Sequence, residues 1–264
     1  MATPMNLELT GKTALVTGSS RGIGRGIALA FAQAGCDLML TARDEAALEE
    51  VAAAIRAKGR KAVVAALDLR TDDAAGKLAD LAQREFGGLD ILINNAGTTK
   101  RGDFFELTDA DWQDGFALKF FAHVRLTRAC WPLLKTRKGS LVTIGGTSGR
   151  KPHASFTIGS SVNLACAAFT KAMADRGKED GVRVNCIHPS LVETERQWRR
   201  IRAEVARTGE PESIVKQRIC TETGITRFGT VQDVADLVCF MVSARATWLQ
   251  GATIDLDGGE IPVL

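Results

Sequence analysis

The residues best suited to chemistry in this chain begin at Thr17-Gly18-Ser19-Ser20-Arg21-Gly22-Ile23-Gly24. Glycines at this spacing let the backbone take positive φ and approach a pyrophosphate closely. A helix opening at the same point offers free N–H groups and a dipole that attract its negative charge. Residues 18–24 therefore read as a phosphate-binding turn, with Gly18, Ser20, Arg21, Gly22, Ile23 and Gly24 around the phosphates. The next informative position is the end of the following apolar run. A carboxylate there favours a free ribose 2′-hydroxyl, whereas an arginine favours a 2′-phosphate. Here the run ends at Ala42 and Arg43 follows. Arg21 and Arg43 together can clamp a 2′-phosphate, so NADP(H) is expected in preference to NAD(H), the alternative for Arg43 being a solvated surface arginine. A third run closes on Asp68-Leu69, where a carboxylate can accept a hydrogen bond from the adenine amino group.

These groups need a scaffold, and the hydrophobic periodicity supplies one. Thr13–Thr17, Asp37–Ala42, Ala62–Leu67, Leu89–Ile93, Ser140–Ile144, Val182–Ile187 and Thr253–Leu256 read as buried strands. Helical patterns separate them, including a long helix from about Asp109, one from about Ser160 to Asp175, and a last one from Asp233 to Met241. Such alternation predicts an α/β, Rossmann-type, doubly wound parallel sheet with helices on both faces and ligands at the carboxyl ends of the strands. At 264 residues, with 45% hydrophobic and 25% charged residues, the chain suits one domain spanning residues 1–264. A net charge of +3 is too small to argue for nucleic acid. Met1 to Thr10 lacks the pattern of a leader peptide and no apolar run is long enough to cross a bilayer, so a cytoplasmic protein with no membrane contact is expected. Six scattered cysteines without metal-ligand spacing read as buried reduced thiols, and no metal site is expected.

One segment breaks the rhythm. Residues 193–223 are charged, with Arg196, Arg199, Arg200, Arg202 and Arg207, and lie between a strand and the next helix. An insertion there is placed to act as a substrate lid. Its arginines form either the wet face of an amphipathic helix or an attraction for an acidic substrate.

Along nearly its whole length the chain resembles the short-chain dehydrogenase/reductase family. The shared motifs are Thr17-Gly18-x-x-x-Gly22-x-Gly24, Asp68-Leu69, Asn94-Asn95-Ala96-Gly97, Asn185-x-x-x-Pro189, Arg227-Phe228-Gly229, and Gly251 through Asp257-Gly258-Gly259. The resemblance implies that Asn95 and Gly97 line the cofactor, and that Pro189, Val192 and Thr194 hold its nicotinamide end. It also implies a homotetramer or homodimer built through helices at residues 109–135 and 160–176, acting on a small-molecule substrate.

The family's proton-handling residues are another matter. Its reductases use a tyrosine acid, a lysine four residues later, a serine and an asparagine. In this sequence those positions fall at Gly159, Asn163, Gly146 and Lys119, and the chain contains no tyrosine at all. Glycine in place of a large aromatic, beside Gly145-Gly146, predicts a cavity next to the reactive carbon of the cofactor. The candidates to act there are Lys119, His153, Thr147, Ser148 and Asn163. Lys119 lies in a partly apolar helix seam, where an ammonium can stabilise an oxyanion or donate a proton, or else snorkel to solvent. His153 is the titrating group in the loop before Gly159, unless it is simply exposed. Thr147 and Ser148 can take the serine's hydrogen bond, and Asn163 can reach the nicotinamide ribose. His188 points toward the same end of the sheet. Two functions are compatible with this pattern. One is an NADP(H)-dependent oxidoreductase with a non-standard active site, acting on a small carbonyl, imine or enone. The other is a protein of the same fold without hydride transfer: an NADPH-binding sensor or partner subunit, a lyase or an isomerase.

Overall fold

Runs such as Leu38-Met39-Leu40 have no polar face, so they are stable only where the sheet is covered on both sides. The computed structural model, which describes residues 7–262, meets that requirement. Met1 to Asn6, part of the leader-free N-terminus expected from the sequence, lie outside the described residues. Strands β1 (Thr13–Thr17), β2 (Asp37–Ala42), β3 (Ala62–Ala66), β4 (Ile91–Asn94), β5 (Ser140–Ile144), β6 (Arg183–Pro189) and β7 (Thr253–Leu256) form one sheet. All seven are parallel, in the order β3-β2-β1-β4-β5-β6-β7. The strand order reverses between β1 and β4, which opens a crevice at the carboxyl edge where ligands bind in sheets of this kind.

Two apolar layers hold the sheet. On one face α1 (Gly22–Gln33), α2 (Glu45–Arg56) and α9 (Val231–Val242) bury Ile27, Phe31, Leu48, Ile55 and Val238 against the strands. On the other, α3 (Ala74–Phe86), α5 (Ala122–Arg137) and α6 (Thr157–Asp180) contribute Leu78, Leu126, Leu134 and Ala174. Helix α9 begins with a reciprocal capping box between Thr230 and Asp233, a feature worth about 1 kcal/mol. No described helix is long and apolar enough to cross a membrane.

Several expected boundaries move. Strand β4 starts at Ile91, because Asp90 is used instead to accept the Thr13 N–H at 3.0 Å and the Lys12 ammonium at 3.1 Å. Helix α6 starts three residues before Ser160 and runs on to Asp180, where Gly181 at φ +74° stops it. The helix expected to run unbroken from Asp109 is α4 (Asp109–Phe116), then a π turn at Ala117–Phe121, then α5. The wider turn leaves backbone carbonyls out of register, and the Cys166 thiol donates to that of Lys119 at 3.3 Å. Residues 193–223 are a helix pair, α7 (Glu195–Thr208) and α8 (Glu212–Thr223), with its own small core of Ile201, Val215, Ile225 and Phe228.

Candidate active site

The glycine turn connects β1 to α1 with Gly18 at φ +65° and Gly22 at φ +55°, both in the region that favours glycine. A Cβ at Gly24 would overlap the Gly18 carbonyl oxygen, so the turn closes only without a side chain there. Helix α1 opens at Arg21 with no side-chain cap and no acidic residue in its first turn. Its first N–H groups are thus left for an anion. Thr17 knits the turn to the end of β4: its hydroxyl donates to the Ile93 carbonyl and accepts from the N–H groups of Asn95 and Ala96. The Asn95 amide donates to the Thr17 carbonyl at 2.8 Å and the Gly18 carbonyl at 3.3 Å, so Asn95 braces the cradle.

Arg43 stands exposed just past β2, and Arg21 is exposed inside the turn. Asp68 follows β3, and Leu69 beside it is buried. Burial raises the Asp68 pKa, but hydrogen bonds from the Arg70 backbone and guanidinium, with the charges of Arg70 and Arg43, outweigh this and hold the carboxyl below its usual range. Those bonds use Oδ1 and leave Oδ2 for an amino group. The backbone cradle and the uncapped helix fit the pyrophosphate of a dinucleotide.

Further along the carboxyl edge is a cavity of about 520 Å³. Ile23, Pro189, Val192 and Thr194 line its inner side. Pro189 ends β6, Val192 pairs with Gly229, and Thr194 caps α7 by accepting from the Gln197 N–H. Lys119, Thr147, Ser148, His153 and Asn163 line the same cavity, so the structure brings every sequence-predicted catalytic candidate together. Arg43 and Asp68 are not among its lining residues.

Lys119 lies in the π turn. Its stem packs where a Cβ of Gly97 would sit, and its ammonium donates to the Gly145 carbonyl at 3.1 Å. The side chain is partly accessible, yet protein crowds the ammonium closely enough that burial lowers its pKa. The Arg196 charge adds to that lowering, while Cys166 and Cys186 oppose it. Snorkelling to bulk solvent is therefore not what this lysine does. Thr147 and Ser148 occupy a short 3₁₀ turn after β5, and the Asn163 amide donates to the Ser148 hydroxyl at 2.8 Å. His153 precedes a second 3₁₀ turn, Ala154–Phe156, and its backbone N–H donates to the Ser160 hydroxyl at 3.4 Å. The two buried histidines are neutral near pH 7. Burial pushes both His123 and His188 down to about 4. His123 Nε2 is 2.9 Å from the Ala96 carbonyl, while His188 Nδ1 faces the Asp255 carboxylate at 3.5 Å.

The cavity expected beside the glycines is present, with Gly145 and Gly146 on its wall, but the positions their side chains would take are occupied. A Cβ on Gly159 would overlap the ring of Phe156, one on Gly146 would lie 2.8 Å from the Asn163 amide nitrogen, and one on Gly145 would lie 2.5 Å from the His188 ring. Neighbouring side chains fill that space, and the open volume lies in front of them. Sequence reasoning also missed Arg101 and Phe156 as site residues. The Arg101 guanidinium carbon lies 3.9 Å from the Phe156 ring centroid, and both residues line the cavity. Their signal in the sequence is an arginine in the loop beyond the fourth strand and an aromatic three residues before Gly159. Of the five arginines of residues 193–207, Arg196 and Arg200 reach the cavity, whereas Arg202 pairs with Glu195 and Arg207 with Glu204.

A parallel sheet with its reversal at β1 and β4, a glycine cradle there and a cavity along the same edge defines a Rossmann-type NAD(P)-binding protein. The family model described as short chain dehydrogenase matches residues 12–204. An uncharacterised oxidoreductase of Mycobacterium tuberculosis is 34% identical over 96% of this chain and 93% of its own. The 3-oxoacyl-(acyl-carrier-protein) reductase of Escherichia coli is 31% identical, covering 97% and 98%. Among solved structures, L-sorbose reductase from Gluconobacter frateurii, complexed with NADPH and L-sorbose, superimposes with a TM-score of 0.95 at 32% identity, covering 98% of this chain and 100% of that one. The chain belongs to the short-chain dehydrogenase family.

Proposed function

We propose that this chain is an NADP(H)-dependent oxidoreductase of a small carbonyl, imine or enone, in which Lys119 takes over charge stabilisation at the reacting oxygen or nitrogen. With no tyrosine in its 264 residues, the chain cannot use the family's usual acid. The observation that carries this reading is the Lys119 ammonium on the cavity wall, its pKa lowered by burial, within the same enclosure as Pro189, Val192 and Thr194.

A bound dinucleotide supplies the hydride. The chain's own groups do the rest. The N–H groups of residues 18–24 and the uncapped end of α1 take the pyrophosphate, Gly97 leaves room for the Lys119 stem, and Arg21 with Arg43 takes the 2′-phosphate. At the reacting end the Lys119 ammonium offers a donor preorganised by the Gly145 carbonyl, and the lowered pKa eases release of its proton. Ser148, fixed by Asn163, and Thr147 supply neutral hydrogen bonds. His153 stands exposed on the cavity wall, where its ring can hydrogen-bond a ligand. Helices α7 and α8 act as the substrate lid. The reading includes assembly as a homodimer or homotetramer, supported by Phe121 and Leu164, which are 50% and 55% exposed on the helices the family uses for assembly.

The test is NADPH consumption with a panel of ketones, imines and enones, followed by Lys119→Met. At least one class is expected to consume NADPH with a primary isotope effect from 4-deuterated cofactor. The variant should lower kcat by roughly 10²- to 10⁴-fold with little change in NADPH affinity. Tight binding with no consumption across the panel would favour the sensor, lyase or isomerase alternative.

A further inference from the structure

The outer wall of the cavity gathers guanidinium groups from two segments far apart in sequence: Arg101 after β4, and Arg196 with Arg200 one helical turn apart on α7. Elsewhere in the α7–α8 pair, arginines find carboxylates. Arg202 meets Glu195, Arg207 meets Glu204, and Arg218 meets both Glu204 and Glu210. The cavity arginines do not. Among the described residues, Arg101 has only the Phe156 ring beneath it, Arg196 has no ion pair, and Arg200 makes a single 3.4 Å bond to the Gln197 side chain. The acids on the cavity wall are already engaged, Glu222 with Arg218 at 3.6 Å and Glu260 with the Ser190 hydroxyl.

Crowded like charges repel, and they do so more strongly where protein displaces water. Burial lowers the Arg101 pKa to about 10, with Arg200 and Arg196 adding to the effect, and Arg196 is lowered by burial and by Arg200 and Arg199. Guanidinium groups carry their charge at neutral pH, so this exposed wall of the cavity holds unbalanced positive charge that a bound oxyanion relieves. Guanidinium forks match carboxylate and phosphate oxygens in pairs. Part of the 520 Å³ lies against Ile23, Pro189 and Thr194, which restricts the remainder to a small molecule.

We propose that the substrate is a small carbonyl compound bearing an oxyanion, a carboxylate or a phosphate, and that Arg101, Arg196 and Arg200 hold this oxyanion with the carbonyl directed toward Lys119. The oxyanion site stands on the arginines alone; the carbonyl half rests on the dehydrogenase reading above.

The experiment is calorimetric titration of NADP⁺-saturated protein with matched ketones: 4-oxopentanoate against its methyl ester, and dihydroxyacetone phosphate against dihydroxyacetone. A charged member is expected to bind about tenfold or more tightly than its neutral counterpart, and the pair showing the larger ratio identifies the oxyanion. Arg101→Gln and the double variant R196Q/R200Q should each remove most of that ratio, leaving affinity for the neutral ketone and for NADP⁺ unchanged. Arg101→Lys should retain part of it. Equal binding within both pairs overturns the proposal, as does an unchanged ratio in variants that instead lose NADP⁺ affinity, since the arginines would then serve the dinucleotide. Should NADP⁺ not bind at all, the dehydrogenase reading fails separately. An arginine-dependent preference for the charged member in cofactor-free protein then still upholds the oxyanion site, and its absence ends it.

Discussion

At the scale of single residues, the site depends on pairs in which one partner gives up volume and the other uses it. Gly97 has no side chain, and the stem of Lys119 lies in the space a Cβ would need; Gly159 has none, and Phe156 covers it. The phosphate cradle was legible because a positive φ and a close backbone approach demand glycine by type. The filling of Gly159 was not. It follows from Phe156 sitting just before α6 at φ −144°, ψ 40°, which carries its ring back over the residue three positions on, and residue type does not encode that angle. The position of Lys119 carries a thermodynamic signature. Its pKa is lowered in the folded protein from an ordinary value of 10.5, so below the folded pKa both states are protonated and the full cost of a buried ammonium opposes folding. As pH rises from the lowered value toward 10.5, the unfolded chain holds more protons than the folded one, and stability rises. Comparing wild type with Lys119→Met isolates this contribution. Cys36 and Cys130, pushed up to about 12 with no contribution from Lys119, lower stability above about pH 9 in both proteins equally. The Met variant is expected to have the higher Tm at pH 7, and the gap should narrow as pH rises toward 10.5. A gap independent of pH would show that Lys119 keeps its ordinary pKa.

At the scale of elements, the alternation of strands and helices was readable because most strands carry an apolar run and glycine or a polar cap marks most of the helix ends. Two elements escaped. The π turn at Ala117–Phe121 leaves no mark in the hydrophobic pattern, since Trp112, Phe116 and Phe120 still share one cluster with Ile158 and Val162. Its consequence is the aim of Lys119 into the cavity. The region 193–223 was legible as an insertion but not as a helix pair, because its small core is closed by Phe228 and Ile225 from beyond its own boundaries. Arg218 fastens the pair by bridging from α8 to Glu204 on α7 and to Glu210 in the connecting turn. Removing that bridge should loosen the pair without unfolding the sheet, whose layers it does not touch. For Arg218→Ala the expected outcome is cleavage within 193–223 that is faster by about 3- to 10-fold under limited proteolysis, with the Tm of the sheet little changed. Equal cleavage rates would show that the small apolar core alone holds the helix pair.

At the scale of the whole molecule, a net charge of +3 conceals a strong asymmetry. Some cations are neutralised across neighbouring elements, as in Lys135 on Asp180 or Arg70 on Asp114. Along the carboxyl edge of the sheet, Arg21 and Arg43 beyond β1 and β2 and the cavity arginines make no ion pair among the described residues, so positive charge stands at both ends of that edge. A ligand lying along that edge is therefore favoured when both its ends are anionic, as they are for a dinucleotide 2′-phosphate beside an acidic substrate. The adenosine half can be tested alone. Arg43→Asp puts a carboxylate where a free 2′-hydroxyl is recognised and repels a phosphate there. NADPH affinity should fall roughly 10- to 100-fold while NADH binds more tightly, reversing the preference in a fluorescence titration. Because Arg21 and Arg43 are both exposed, the wild-type preference should also shrink as salt rises past the point where the Debye length falls below about 8 Å. A wild type that binds NADH and NADPH equally, with Arg43→Asp unchanged, would leave the 2′-phosphate without its clamp. The positive edge would then have to be explained from the substrate end alone, where Arg101, Arg196 and Arg200 stand independently of it.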